Sequence, residues 1–312
     1  MPAASRPDGN AAAIPPEVVR QRIIDLVRDA TLELPARDRA HEDAYRDLIA
    51  PGKPLYINFG PGDSPAGTID AARQLKRAGF QPVPHIAARY LTGKVQLGDF
   101  LARLNGEAGV GEALLIAGDR DKPAGPFPSS LELIESGAFE KHGITRIGIA
   151  GYPEGHPKIS RRALDNALKL KIARATLAGL APTIVTQFVF DAQPILDWLR
   201  RIRGDGVAAP LRVGLAGPAN IGTLTKYALR CGIGNSLRML MGRQAAVARL
   251  LTESGPEAVI GDLARADGEN LGISGLHFYN FGGIARTGTW MRAIVRGNFT
   301  LATGETGFKV KR

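Results

Sequence analysis

Cysteine is nearly missing: Cys231 is the only one in 312 residues. A lone cysteine excludes an internal disulfide framework and any cysteine-rich metal site. Cys231 itself falls in a helical stretch and reads as a small buried residue. Long apolar runs are also lacking. No stretch approaches ~18 uncharged apolar residues, so neither a transmembrane helix nor a membrane partner is expected. The opening MPAASRPDGNAAAIPPE has no apolar core behind a basic start, so it does not read as a secretory signal, and a cytoplasmic location is the default. Aromatics are only 6% and no basic run interleaves with them, which argues against a nucleic-acid platform. Metal-ligand spacings such as H-x-H and H-E-x-x-H are absent, and so is a G-x-S-x-G elbow. No metal is therefore expected.

What is present is an apolar fraction of 44% with 22% charge, enough for a large core. Glycine (38) and proline (21) punctuate the chain heavily. The net charge of +10 asks for a phosphate or other acidic ligand, or else reflects ordinary surface arginine. Residues 1–15 read as a flexible arm. Pro16 to Arg28 places Val19, Ile23, Leu26 and Val27 on one helical face, with Pro16 at a permitted first turn.

Eight short β-rich runs follow, at 30–34, 54–59, 81–86, 112–117, 145–150, 183–188, 211–215 and 274–279. Helical patterns separate them. Ser129-x-x-Glu132 is a capping box opening a segment that runs to His142; Asp191 caps the helix carrying Ile195, Leu199 and Ile202. Residues 160–178 form a longer helix, and 219–268 offers helices near 220–230, 235–252 and 256–266. Strand–helix alternation of this kind predicts a parallel sheet, and eight units in about 250 residues predict a (β/α)8 barrel over 16–312. A doubly wound sheet is the alternative, but no Gly-x-Gly-x-x-Gly follows an early strand.

In such a barrel the strand C-termini build the active site. Those ends carry Glu33, Asn58, His85, Asp119, Tyr152 with His156, Gln187, and His277 with Tyr279. Glu33 and Asp119 suit an acid and an electrostatic stabiliser, if one is buried and the other solvated. Alternatively each pairs with one of the many arginines. Composition and spacing reach no further than a barrel with an acidic, amide-lined mouth.

The segment GYPEGHP (151–157), after the strand RIGIA, resembles the signature of methylenetetrahydrofolate reductases. In the right order lie Gly118-Asp119, TQFVFD (186–191), VPHI (83–86), LHFY (276–279) and LEL (32–34). The ordered set spans 32–279. It implies a flavin-dependent barrel in one-carbon metabolism, on the route to methionine. There NADH or NADPH reduces FAD, which passes hydride to 5,10-methylenetetrahydrofolate in ping-pong turnover, in either direction. By the resemblance Glu33 is the general acid, with the flanking Leu32 and Leu34 helping to raise its pKa. Asp119 stabilises the developing cation beside the flavin. Gln187, with Phe188 and Tyr279, contacts folate. Asn58, His85, Gly118, Asp119, Tyr152, His156 and Asp165 carry over as flavin contacts, with Lys169 or Lys171 supplying a phosphate cation.

The chain departs from the pattern at Ala117, where the family has Arg, and at Leu168 and Ile172, where it has Asn and Lys. GLAGPAN (214–220) and NFGG (280–283) also differ. Two alternatives stand beside the flavin reading: direct hydride transfer between nicotinamide and folate, and a non-catalytic barrel that binds folate or nucleic acid. Segment 155–175 holds six Lys/Arg against one Asp, a basic rim for phosphate or the folate glutamate tail. LRMLMGRQAAVARLL (237–251) reads first as packing against the barrel and second as a contact in a homo-oligomer.

Overall fold

The computed structural model describes residues 14–36, 46, 48–231, 233, 255–266, 271–302 and 307–311. The arm up to residue 13 and segments 235–252 and 237–251 lie outside the described residues. Helix α1 (Pro16–Arg28) leads into β1 (Thr31–Pro35). There follow β2 (Pro54–Asn58), α2 (Pro65–Arg77), β3 (Gln81–Ala87), α3 (Lys94–Ala108) and β4 (Glu112–Ile116). The second half runs through α4 (Ser130–Ile134), α5 (Ala138–Lys141), β5 (Arg146–Gly151), α6 (Arg161–Leu177) and β6 (Ala181–Thr186). It closes with α7 (Ala192–Gly204), β7 (Leu211–Ala216), α8 (Ile221–Cys231), α9 (Glu257–Ala266), β8 (Ile273–Tyr279) and α10 (Ile284–Val295).

Strands β1 to β8 pair in sequence order, all parallel, and β8 returns to β1 to close the barrel. The fold is a (β/α)8 barrel. Its sequence cause is period-two alternation with both faces buried. Leu32, Leu34, Leu55, Ile57 and Leu115 face the helices and join the main core. Tyr56, Val83, Leu114 and Val185 form a separate cluster that fills the barrel itself. Glycines make that interior fit. A Cβ on Gly148 would lie 2.6 Å from Leu114 Cδ1, and one on Gly214 would lie 2.2 Å from the Thr186 carbonyl oxygen.

Two details differ from the sequence reading. The segment opened by the Ser129–Glu132 capping box is two short helices, because Gly137 turns left-handed at φ +66° between them. Beyond α10 a small antiparallel pair, β9 (Phe299–Leu301) with β10 (Phe308–Val310), was not anticipated. Arg20 on α1 ties it down, donating to the Phe299 carbonyl at 2.8 Å with its guanidinium 4.3 Å from the Phe299 ring centroid.

The close approach at Gly214 involves backbone, which cannot swing aside. Gly214→Ala is expected to lose about 1–3 kcal/mol of stability, read as a lower denaturant midpoint. An unchanged midpoint would contradict the packing of β6 against β7 described above.

Candidate active site

Thr31 and Glu33 alternate with Leu32 and Leu34, so both point into the barrel while the leucines face the helices. Glu33 Oε2 lies 3.5 Å from His277 Nε2 and 3.6 Å from His85 Nε2. Strands β1 and β3 are separated by β2, so the Glu33–His85 approach crosses the interior. Thr31 Oγ1 is 2.8 Å from His277 Nδ1. Tyr56 packs its ring edge against His277 at 4.6 Å between centroids, and its hydroxyl donates downward to Glu112 at 3.2 Å. Burial and the Glu112 carboxylate both push the Tyr56 phenol up.

These groups sit below the rim predicted for them. Glu33 and His85 are 7% exposed and His277 0%. Burial alone would raise the Glu33 carboxyl, but the His277 hydrogen bond, the His85 and His277 imidazoles and the Asn58 amide together hold it below its ordinary value. The expected upward shift from Leu32 and Leu34 is therefore corrected: the leucines face away and polar neighbours win. Burial takes His85 down to about 4, with Glu33 opposing and His277 assisting. His85 Nε2 has no hydrogen-bond partner.

On the next strands Gly118 turns at φ +87°, and a Cβ there would lie 3.2 Å from the Tyr90 ring. Tyr90 donates its hydroxyl to Asp119 Oδ1 at 2.6 Å, with Phe59 edge-on to its ring. Arg120 lies over the Tyr90 ring at 5.4 Å. Sequence reasoning missed Tyr90, which arrives on a 3-10 turn (Ala88–Tyr90) after β3 and carries no periodic signal. Tyr152 and His156 meet edge to face at 5.7 Å. Partial burial and then Lys158 lower the His156 imidazole.

Across the mouth the ends of β6 and β8 meet in aromatic contacts. Phe188 touches Tyr279 at 5.5 Å and Phe281 at 4.9 Å, while Tyr227 stacks on Phe281 at 4.1 Å. Tyr279 donates to the Thr186 carbonyl at 2.9 Å. The Gln187 side-chain oxygen accepts from Phe188 N–H at 3.3 Å.

Three sequence-selected residues are engaged in the outer ring. Asp165 pairs with Arg201, and Lys169 with Asp205 at 2.7 Å. Both bridges join α6 to the C-terminal end of α7. Lys171 is half-buried, which lowers its ammonium, and Glu132 opposes that shift. A flavin is thus matched unevenly. Asn58, His85, Asp119 and Tyr152 come in turn from β2, β3 and the loops after β4 and β5, with His156 further along the last of these, and His85 offers a buried nitrogen without a hydrogen-bond partner. Asp165, expected at the ribityl hydroxyls, and Lys169, expected at the phosphates, do not fit those roles here, since they pair with Arg201 and Asp205, and residue 117 is alanine. Among the described residues no group of three His, Cys, Asp or Glu is placed to hold a metal ion.

The family model for methylenetetrahydrofolate reductase matches residues 54–281. The chain belongs to the methylenetetrahydrofolate reductase family. Methylenetetrahydrofolate reductase 2 of Saccharomyces cerevisiae is 30% identical over 69 residues, which are 22% of this chain and 11% of the yeast protein. Among solved structures, dihydropteroate synthase from Thermus thermophilus is 15% identical at a TM-score of 0.46, over 85% of this chain and 90% of that one. The 3-dehydroquinate dehydratase from Geobacillus kaustophilus is 10% identical at 0.45, over 86% and 90%. At those scores the two structures carry no weight for the chemistry. The span matched to the reductase family begins at β2, so Asn58 through Tyr279 fall inside it and Glu33 lies just before it.

A histidine held neutral by burial makes this reductase-family fold pH-sensitive. The unfolded chain takes up a proton near 6.5, while folded His85 does so only near 4. Stability should therefore fall by about 2–3 kcal/mol as pH drops from 6.5 to 4. Glu33, held low when folded, adds a further loss below about 4.5. His85→Gln should flatten the upper part of that slope in denaturant titrations. An unchanged slope would contradict the burial of a neutral imidazole.

Proposed function

We propose that this chain transfers hydride between a nicotinamide dinucleotide and 5,10-methylenetetrahydrofolate in the cytoplasm. The product is 5-methyltetrahydrofolate, or the reaction runs in reverse. Glu33 carries the reading: a carboxyl inside the barrel, held between two imidazoles below the mouth. The bridging methylene carbon sits between two folate nitrogens. Breaking one C–N bond leaves its electron pair on the departing nitrogen, which must gain a proton. The incoming hydride brings the pair that forms the new C–H bond. Glu33 donates the proton, and water exclusion on substrate binding favours its neutral form. Asp119, held by Tyr90, stabilises the positive charge that develops before hydride arrives. Gln187 offers an amide to the donor and acceptor edge of the pterin. The aromatic wall of Phe188, Tyr279 and Phe281 provides faces for flat rings.

FAD, when bound, supplies a carrier that accepts hydride from nicotinamide and passes it on; Asn58, His85, Asp119, Tyr152 and His156 would hold it. The commitment of Asp165 and Lys169 to outer-ring ion pairs favours a second reading, direct transfer without flavin. A non-catalytic barrel is disfavoured by Glu33, since burying a carboxylate without use is costly.

The test is an anaerobic assay of purified protein with methylenetetrahydrofolate and nicotinamide deuterated at the transferring position, with and without FAD. Deuterium in the methyl group would indicate direct transfer. Loss of label to solvent, with stimulation by FAD, would indicate the flavin carrier. Glu33→Gln should lower folate reduction about 10²–10⁴-fold. Unimpaired reduction by that variant would remove Glu33 as the acid.

A further inference from the structure

The Asn58 amide hydrogen-bonds the Glu33 carboxyl, and the two imidazoles beside it reach one of its oxygens. Both imidazoles converge on Oε2, His277 Nε2 at 3.5 Å and His85 Nε2 at 3.6 Å. Behind His277 stands Thr31, whose hydroxyl lies 2.8 Å from Nδ1 and 3.4 Å from the Leu276 carbonyl. At 2.8 Å the hydroxyl can donate to Nδ1 or accept from it; the carboxylate oxygen facing Nε2 calls for a donor there, which selects the arrangement with the hydroxyl proton on Nδ1. A neutral imidazole that accepts at Nδ1 carries its own proton on Nε2, and that N–H points at Glu33 Oε2. His277 cannot easily turn away. It is wholly buried, with Tyr56 at 4.6 Å and Tyr279 at 5.0 Å, both edge to face.

We propose that Thr31 and His277 form a positioning relay that fixes Oε2 as the anchored oxygen of Glu33 and leaves Oε1 as the oxygen that carries the transferred proton. The inference rests on reading Glu33 as the proton donor. An anchored Oε2 accepts the same N–H whether Oε1 bears a proton or not. The relay therefore holds the carboxyl in one orientation through the whole cycle, and only the Oε1 proton moves to the folate nitrogen. The groups facing Glu33 are Thr31 on its own strand, Tyr56 and Asn58 on β2, His85 on β3, and His277 and Tyr279 on β8. The His277 N–H stabilises the carboxylate, so its loss should make Glu33 a weaker acid.

Histidine labelled with ¹⁵N reports the relay without turnover. The chain has five histidines, and the His277 signals are those missing from His277→Gln. Wild type and Thr31→Ser should show His277 as the neutral Nε2–H tautomer. Thr31→Val should populate the Nδ1–H form. Folate reduction should fall about ten- to a hundredfold in Thr31→Val, and its high-pH limb should move to higher pH. KM for nicotinamide should stay within about twofold, and Thr31→Ser should restore the wild-type profile. A wild-type His277 in the Nδ1–H or doubly protonated form overturns the relay, and so does an unmoved limb in Thr31→Val. Should Thr31→Val fail to fold, the wild-type tautomer decides alone. Reduction that survives Glu33→Gln would overturn the acid assignment instead, leaving the tautomer result unaffected.

Discussion

A carboxylate inside a closed parallel barrel is the constraint on which the rest of the site depends. Isolated in an apolar interior, Glu33 would cost several kcal/mol to ionise. The strand order removes that isolation by bringing polar groups from β2, β3 and β8 around a residue on β1. Two of these neighbours are themselves supported. His277 leans on Thr31, and Tyr56 sends its hydroxyl to Glu112, which Arg146 holds at 3.1 Å. Leu114, Val83 and Val185 fill the remaining space, and Gly148 and Gly214 leave room for Leu114 and Tyr279. Polar network and packing are one construction, since a half-satisfied network would be worse than an apolar core.

The barrel was legible because its signal is local. Each strand is a short apolar run bounded by turn residues, and all eight such runs became strands. Caps at Ser129 and Asp191 were equally readable, since capping is decided within a few residues. The site was legible only in its membership. That Glu33 and His277 both lie on strands could be read directly, but their meeting depends on β8 closing onto β1. The direction of the Glu33 shift was misjudged for the same reason: chain neighbours Leu32 and Leu34 were visible, whereas His85 and His277 come from distant strands. Tyr90 was invisible because an irregular turn delivers it to Asp119.

The basic excess looks different in three dimensions. Segment 155–175 holds much of it, yet Lys169 and Arg174 are paired with Asp205 and Glu135. Part of that charge fastens helices to one another and is not directed at the mouth. Exposed pairs of this kind contribute little stability singly, so their consequence here is that Lys169 and Arg174 are turned to neighbouring carboxylates. Phe188, Tyr227, Tyr279 and Phe281 concentrate aromatic surface at the ends of β6 and β8 in a chain that is poor in aromatics. The mouth therefore presents aromatic faces above the buried carboxyl of Glu33.

The most direct measurement is product stoichiometry. Purified protein, nicotinamide dinucleotide and methylenetetrahydrofolate would be incubated without oxygen, and the folates separated and weighed by mass spectrometry. One 5-methyltetrahydrofolate for each nicotinamide oxidised is the predicted result. Nicotinamide oxidation with no methylated folate, or no reaction in either direction with or without FAD, would contradict the account.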